Sequence, residues 1–236
     1  MGNQTMQQSL KQKMDKLWEE CVSEVTAAKQ SGQIDPPEQT SSVGLAKWFT
    51  KQIEEITTCI DEAEAAVGMR CVCGKGCDAC CKQAIQVLPT EAKAISAYMS
   101  RFTIEQKQYV QKRIEEWMEK AKASGLDMDQ NKYYRAGNAE EAIYQFMERY
   151  FALGLPCPML SEDGECMIYP VRPGGCWSYR VYSDKEACKH QYEVLGGMKH
   201  DEWERYLLDV LFSKVKGDTK MKLLPFYIED ILNHRL

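Results

Sequence analysis

The run Cys73-Gly-Lys-Gly-Cys77-Asp-Ala-Cys80-Cys81 places four thiols within nine residues. A second window supplies Cys157, Cys166, Cys176 and Cys188. Thiols gathered this way point to a metal ion or an iron–sulfur cluster rather than to ordinary core packing. Thiolates are soft donors that favour zinc, cuprous copper and iron–sulfur clusters over magnesium or calcium. Cys77 and Cys80, two residues apart, can chelate one centre across a tight turn. Gly74 and Gly76 permit that turn and offer backbone N–H groups to sulfur. The side chains of neighbours Cys80 and Cys81 point apart, so at least one of the pair is expected to ligate. The candidate ligands are Cys73, Cys77, Cys80, Cys81, Cys157, Cys166 and Cys176. Four thiolates on zinc, or on an oxidised four-iron cluster, leave a charge of about −2 by simple counting. Arg70, Lys75, Lys82, Arg172 and Arg180 flank the windows as candidate counter-charges.

Compartment and charge narrow the chemistry. The N-terminus is polar and lacks the apolar stretch of a secretory signal, so a cytoplasmic location is expected. Thiols there stay reduced, and an odd count of 11 cysteines leaves one over in any full pairing. Metal ligation is therefore preferred to a disulfide framework. The net charge of −5 argues against a nucleic-acid binder, which would carry a basic stripe. No run of 18 apolar residues is present, so no membrane span is expected.

The elements that must position the thiols read as mainly α, with two irregular cysteine-rich loops joined by a metal or iron–sulfur centre. Residues 6–30 have the periodicity of an amphipathic helix, followed by a Pro- and Ser-rich linker over 31–42. A helix over 44–67 carries the stripe Leu45, Trp48, Phe49, Ile53, Ile56 and Ile60, and stops near Gly68. Further helices are predicted over 91–101, 103–123 (Thr103 and Gln106 forming a capping box) and 138–152. The Pro- and Gly-rich segment 154–183 excludes a long helix, with a turn over 161–164 and a short strand over 167–169. Helices return over 184–195, 199–216 and 221–233. This divides the chain into an N-terminal helix and linker, 1–42, and a helical metal-binding body, 43–236, with the cysteine cluster inside 71–190. Cys21 and Cys59 fall on apolar helix faces and read as core. Cys188 and His190 fall on the helix after the second window, and His200 and His234 read as solvated.

The two windows together resemble the CxxCxxCC (YkgJ-like) family of cysteine-cluster proteins, a zinc- or iron-chelating domain. The resemblance runs over about 71–190. Its first part is Cys73 to Cys81 followed by the stretch from Ile85 to Glu91. Its second part is Pro156-Cys157-Pro-Met-Leu160, then Cys166-Met-Ile-Tyr169-Pro-Val-Arg172-Pro173-Gly-Gly-Cys176. Two departures stand out. Three residues separate Cys73 from Cys77 where the family name implies two, which makes Cys71 a rival to Cys73. Trp177 follows Cys176 where the family usually has arginine, and Arg180 comes later. The resemblance implies a bound zinc ion or iron–sulfur cluster. Some relatives are flagellin lysine methylases, but the chain shows no Gly-rich nucleotide loop after a strand to hold a methyl donor.

These readings predict a metal-binding protein whose cysteines hold zinc or an iron–sulfur cluster. Two alternatives stand beside it: an iron–sulfur enzyme related to lysine N-methylases, and a module whose metal pins loops while the N-terminal helix engages a protein partner. Tyr169 and Arg172 read either as contacts to a substrate or as support for the thiolates. Glu91 reads as a helix cap or as an acceptor for the cluster loop. No catalytic residue can be assigned.

Overall fold

The computed structural model describes residues 2–74, 76–216 and 219–236, with side chains from Met6 onward. Helix α1 spans Gly2–Ser31 and α2 spans Ser42–Ala66. The strand β1, Gln86–Val87, follows the first cysteine window and leads into α3, Pro89–Met99. Then come α4, Ile104–Ala123, the short α5, Gln130–Tyr134, and α6, Ala139–Ala152. The second cysteine window is irregular. It holds a 3-10 turn, Tyr169–Val171, the one-turn α7, Gly174–Trp177, and β2, Tyr179–Val181. The chain closes through β3, Gly197–Lys199, α8, Asp201–Lys214, β4, Lys222–Leu223, and α9, Leu224–Leu232. No helix among the described residues is long and apolar enough to cross a membrane.

Local signals start and stop the long helices. Ser41 accepts a hydrogen bond from the Gly44 amide at the head of α2. At α4 the capping box is complete: Thr103 Oγ1 accepts from the Gln106 amide at 3.2 Å, and Gln106 Oε1 accepts from the Thr103 amide at 2.9 Å. Pro225 sits in the first turn of α9, where its missing N–H costs nothing.

The core forms where α2, α3, α8 and α9 turn their apolar stripes inward. Leu45, Ile53, Ile56 and Ile60 of α2 meet Ile95 of α3, Trp203 and Leu207 of α8, and Ile228 of α9. A second cluster joins α4, α6 and β4 through Trp117, Phe146, Tyr150 and Leu223. Helix α1 packs on α2 and α8. Two small antiparallel ribbons fasten the cysteine windows to this body. In one, β1 pairs with β4 (Gln86 opposite Leu223); in the other, β2 pairs with β3 (Arg180 opposite Met198).

Several short elements differ from the sequence expectation. Residues 167–169 do not form a strand. The only pairing there is an isolated bridge between Leu160 and Cys166, and Pro170 then turns the chain into a 3-10 turn. The helix expected over 184–195 is reduced to a 3-10 turn, Ala187–Lys189. Ribbon β2–β3 takes its place, drawing residues 179–199 into a hairpin-like excursion. Asn138 stands at the head of α6 as expected, but its side chain makes no capping bond. Cys21 is buried as predicted, whereas Cys59 is half-buried and its sulfur accepts from Gln33 at 3.5 Å.

Candidate metal centre

The first window folds as successive tight turns. The Cys77 amide donates to the Gly74 carbonyl at 3.0 Å, the Cys81 amide to Asp78 at 2.9 Å, and the Gln83 amide to Cys80 at 3.0 Å. Gly76 has φ +84°, a left-handed conformation that side chains other than glycine rarely adopt. The second window enters beside it. The Cys157 amide donates to the Cys81 carbonyl at 2.6 Å, stitching the two windows together backbone to backbone. A turn at Gly164 (φ +75°) then reverses the chain so that Cys166 pairs across to Leu160.

The result is one cavity of about 660 Å³. Cys71, Cys73, Cys77, Cys80 and Cys81 line it from the first window. Cys157, Cys166 and Cys176 line it from the second. All seven candidate ligands, and the rival Cys71, therefore open onto the same space. All 11 cysteines are free thiols. Cys188 is buried and does not line the cavity, and His190 is exposed beside Glu186. Among the described residues, no three His, Cys, Asp or Glu side chains already stand at the ligand positions of a metal ion.

Burial sets the protonation of these thiols. It raises Cys166, raises Cys176 strongly, and pushes Cys157 up to about 12, so without a cation nearby all three hold their protons at neutral pH. Two pairs share protons instead. The Cys73 thiol donates to Cys71, which falls to about 7 while Cys73 rises. The Cys81 thiol likewise donates to Cys80, which falls to about 7 while Cys81 rises. The Cys73 amide also donates to the Cys71 sulfur at 3.2 Å. The donor set thus fits a soft cation, which would displace the protons that burial otherwise retains.

The candidate counter-charges separate. Arg70, Arg172 and Arg180 line the cavity. Lys82 turns away to lie 4.4 Å from the centre of the Phe151 ring, and Lys75 lies outside the described residues. Arg172 stacks 3.9 Å above the Tyr169 ring and donates to the Tyr169 carbonyl at 2.8 Å. It stands within electrostatic reach of Cys166 and Cys176. Glu91 takes both of its predicted parts. One oxygen accepts from the Leu88 amide at the head of α3, the other from the Gly174 amide beside Cys176, both at 2.8 Å.

Arg180 anchors a buried network that the sequence did not reveal. Its guanidinium donates to Asp61, to Glu64 at 2.6 Å and to the Thr57 carbonyl at 3.2 Å. Burial opposes the charge, but the two carboxylates overcome it and raise the arginine above its ordinary value. Glu64 also accepts from the Tyr182 hydroxyl at 2.9 Å and from the Cys71 amide at 2.9 Å. Tyr182 in turn meets the His200 Nε2 at 2.9 Å. His200 is buried, at 4% exposure, where a solvated ring was expected; its amide donates to the Ser178 carbonyl and it stands at the head of α8. The only sequence signal for this network was the i, i+3 spacing of Asp61 and Glu64, which is too common on helices to single out.

No curated protein and no solved structure matches the chain. One family model does, over residues 72–194, just over half of the chain and both cysteine windows. The chain belongs to the CxxCxxCC family, described as a "Putative zinc- or iron-chelating domain".

Proposed function

We propose that this chain is a cytoplasmic metal-binding protein that holds zinc or an iron–sulfur cluster through the cysteines of its two windows. One observation carries the reading: eight cysteines, from segments some eighty residues apart in sequence, open onto a single cavity. Chains that use cysteine only for packing scatter it singly through the core, as Cys21 is here. Free thiols throughout agree with a reducing compartment. The loops that carry the ligands are held by few regular hydrogen bonds, so a metal can draw the sulfurs into its coordination shell. A structural zinc site supplies roughly 10–16 kcal/mol of apparent binding free energy, enough to order such loops. Arg172 then stands beside Cys166 and Cys176 and offsets part of the thiolate charge, whereas Arg180 spends its charge on Asp61 and Glu64.

The test is anaerobic purification of the full chain with elemental analysis and a visible spectrum. A brown protein with thiolate-to-iron absorption identifies an iron–sulfur cluster, and a colourless protein with zinc identifies the other metal. Cys77→Ser and Cys166→Ser should each lower the metal content. Full retention by both variants would refute the reading.

A further inference from the structure

Two of the cavity's sulfurs touch within a tripeptide whose backbone is held at every amide. The Cys71 amide donates to the Glu64 carboxylate at 2.9 Å, the Val72 amide to the Val181 carbonyl at 2.9 Å, and the Cys73 amide to the Cys71 sulfur at 3.2 Å. Glu64 is itself fixed by Arg180 and Tyr182, so the tripeptide is tied to both α2 and β2. The chain bends at Val72, and the Cys73 thiol donates to the Cys71 sulfur across that bend. Both side chains line the cavity and both are half-buried, whereas Cys21 and Cys188 are buried. The family model matches from residue 72 onward, so it accounts for Cys73 but not for the pair.

We infer that Cys71 and Cys73 form an oxidation site, a dithiol that hydrogen peroxide closes to a disulfide. In the first step one sulfur attacks the peroxide. An S–O bond forms, the O–O bond breaks, and the leaving hydroxide takes the thiol proton as water. In the second step the other sulfur attacks that sulfenic acid. The S–S bond forms, the S–O bond breaks, and the hydroxyl leaves with the second thiol's proton as water. The two thiols together lose two electrons, and one peroxide gains them. Contact between the sulfurs makes the second step intramolecular, which favours the disulfide over further oxidation of the sulfenic acid. Cys80 and Cys81 also share a hydrogen bond. A disulfide between adjacent residues, however, must close across one planar peptide bond that holds their side chains apart. The intervening Val72 removes that strain for Cys71 and Cys73. Resting on the metal-binding reading above, closure also takes both sulfurs out of the cavity's donor set, so oxidant and metal compete for the first window.

The experiment treats the full chain, purified anaerobically, with hydrogen peroxide, either with its metal in place or after stripping by a chelator. Free thiols are then blocked by alkylation and the chain is cut with trypsin. Arg70 and Lys75 bracket the pair, so the peptide Cys71-Val-Cys-Gly-Lys75 carries these two cysteines and no other. It should appear unalkylated and lighter by two hydrogens, and dithiothreitol should return both thiols. It should close several-fold faster in the stripped chain than in the metal-loaded one. A peptide that keeps both thiols free in both forms overturns the oxidation site, whether or not disulfides form elsewhere. Equal rates in the two forms overturn the competition with metal and leave the oxidation site standing. A chain purified without metal refutes the metal-binding reading alone, because the mass of the peptide still reports the disulfide.

Discussion

His200 keeps its ring neutral because it is buried and because the Arg180 guanidinium lies nearby. Together these hold it down at about 4, against 6.5 for a free ring. The folded state thus refuses a proton that the unfolded chain accepts. The stability this represents is fully present above pH 6.5 and is lost as pH falls from 6.5 towards 4. Glu91 has the opposite sign. Burial, against the pull of the Leu88 and Gly174 amides, raises its carboxyl from 4.5 to about 7. Its contribution is present below pH 4.5 and is lost as pH rises towards 7. Between pH 4.5 and 6.5 the two slopes offset each other. Comparing wild type with His200→Gln removes Glu91 from the question, since both chains carry it. The groups that face the ring are Arg180 from β2, Tyr182 just after it, and Asp201 from α8. As pH falls from 7 to 4, urea unfolding should show the variant gaining on wild type by up to about 3 kcal/mol. Parallel stability curves would show that the ring at 200 is not held neutral by the fold.

At the scale of elements, the critical junction is the one where β2 crosses the end of α2. Arg180 from the strand meets Asp61 and Glu64 from the helix, and Glu64 is 4% exposed. Removing one partner of a buried pair leaves the other charge unsatisfied, which costs about 3–5 kcal/mol. Arg180→Met should therefore lower the unfolding free energy by that amount in urea. It should also speed hydrogen exchange at the Cys71 amide, because Glu64 is that amide's acceptor. A loss under about 1 kcal/mol, the range of exposed pairs, would mean that the pair is solvated. The same junction shows what sequence can and cannot convey. Helices α1 to α4 are legible because ten or more residues repeat an apolar stripe, and Thr103 marks the start of α4. Strands β2 and β3 are three residues long, too short for an alternation to register, and their pairing depends on a partner eighteen residues away. The cysteine windows are legible as chemistry because residue type alone identifies soft donors. Which sulfur faces which neighbour is not legible, nor is the burial of His200, because both depend on how β2 crosses the helix behind it.

At the scale of the whole molecule, α1 decides whether the chain is one cooperative unit or a body with a separable arm. Leu17, Cys21, Val25 and Ala28 are all buried, at spacings of four, four and three residues, on a single face of the helix. Val25 and Ala28 belong to the same core as Leu45, Trp203 and Leu207, while Leu17 and Cys21 pack with Ala63 and Tyr182 beside Cys71. Polar contacts hold the following linker in place. The Tyr206 hydroxyl donates to the Ala28 carbonyl at 3.0 Å, and the Trp48 indole donates to the Asp35 carbonyl at 2.7 Å. Burying Leu17 and Val25 alone contributes about 3–6 kcal/mol. That is a large share of the roughly 5–15 kcal/mol that holds a domain folded. Met6 and Trp18 flank this buried stripe and stay exposed at its two edges, where a protein partner would meet them. Deleting residues 1–40 separates the two roles. If the buried face governs, the truncated chain melts at a markedly lower temperature and tends to associate through the uncovered face of α2 and α8. If the helix is an independent arm for a partner, the truncated chain keeps its melting temperature and its oligomeric state. The buried spacing of Leu17, Cys21, Val25 and Ala28 makes the first outcome the expected one, and an unchanged Tm would refute it.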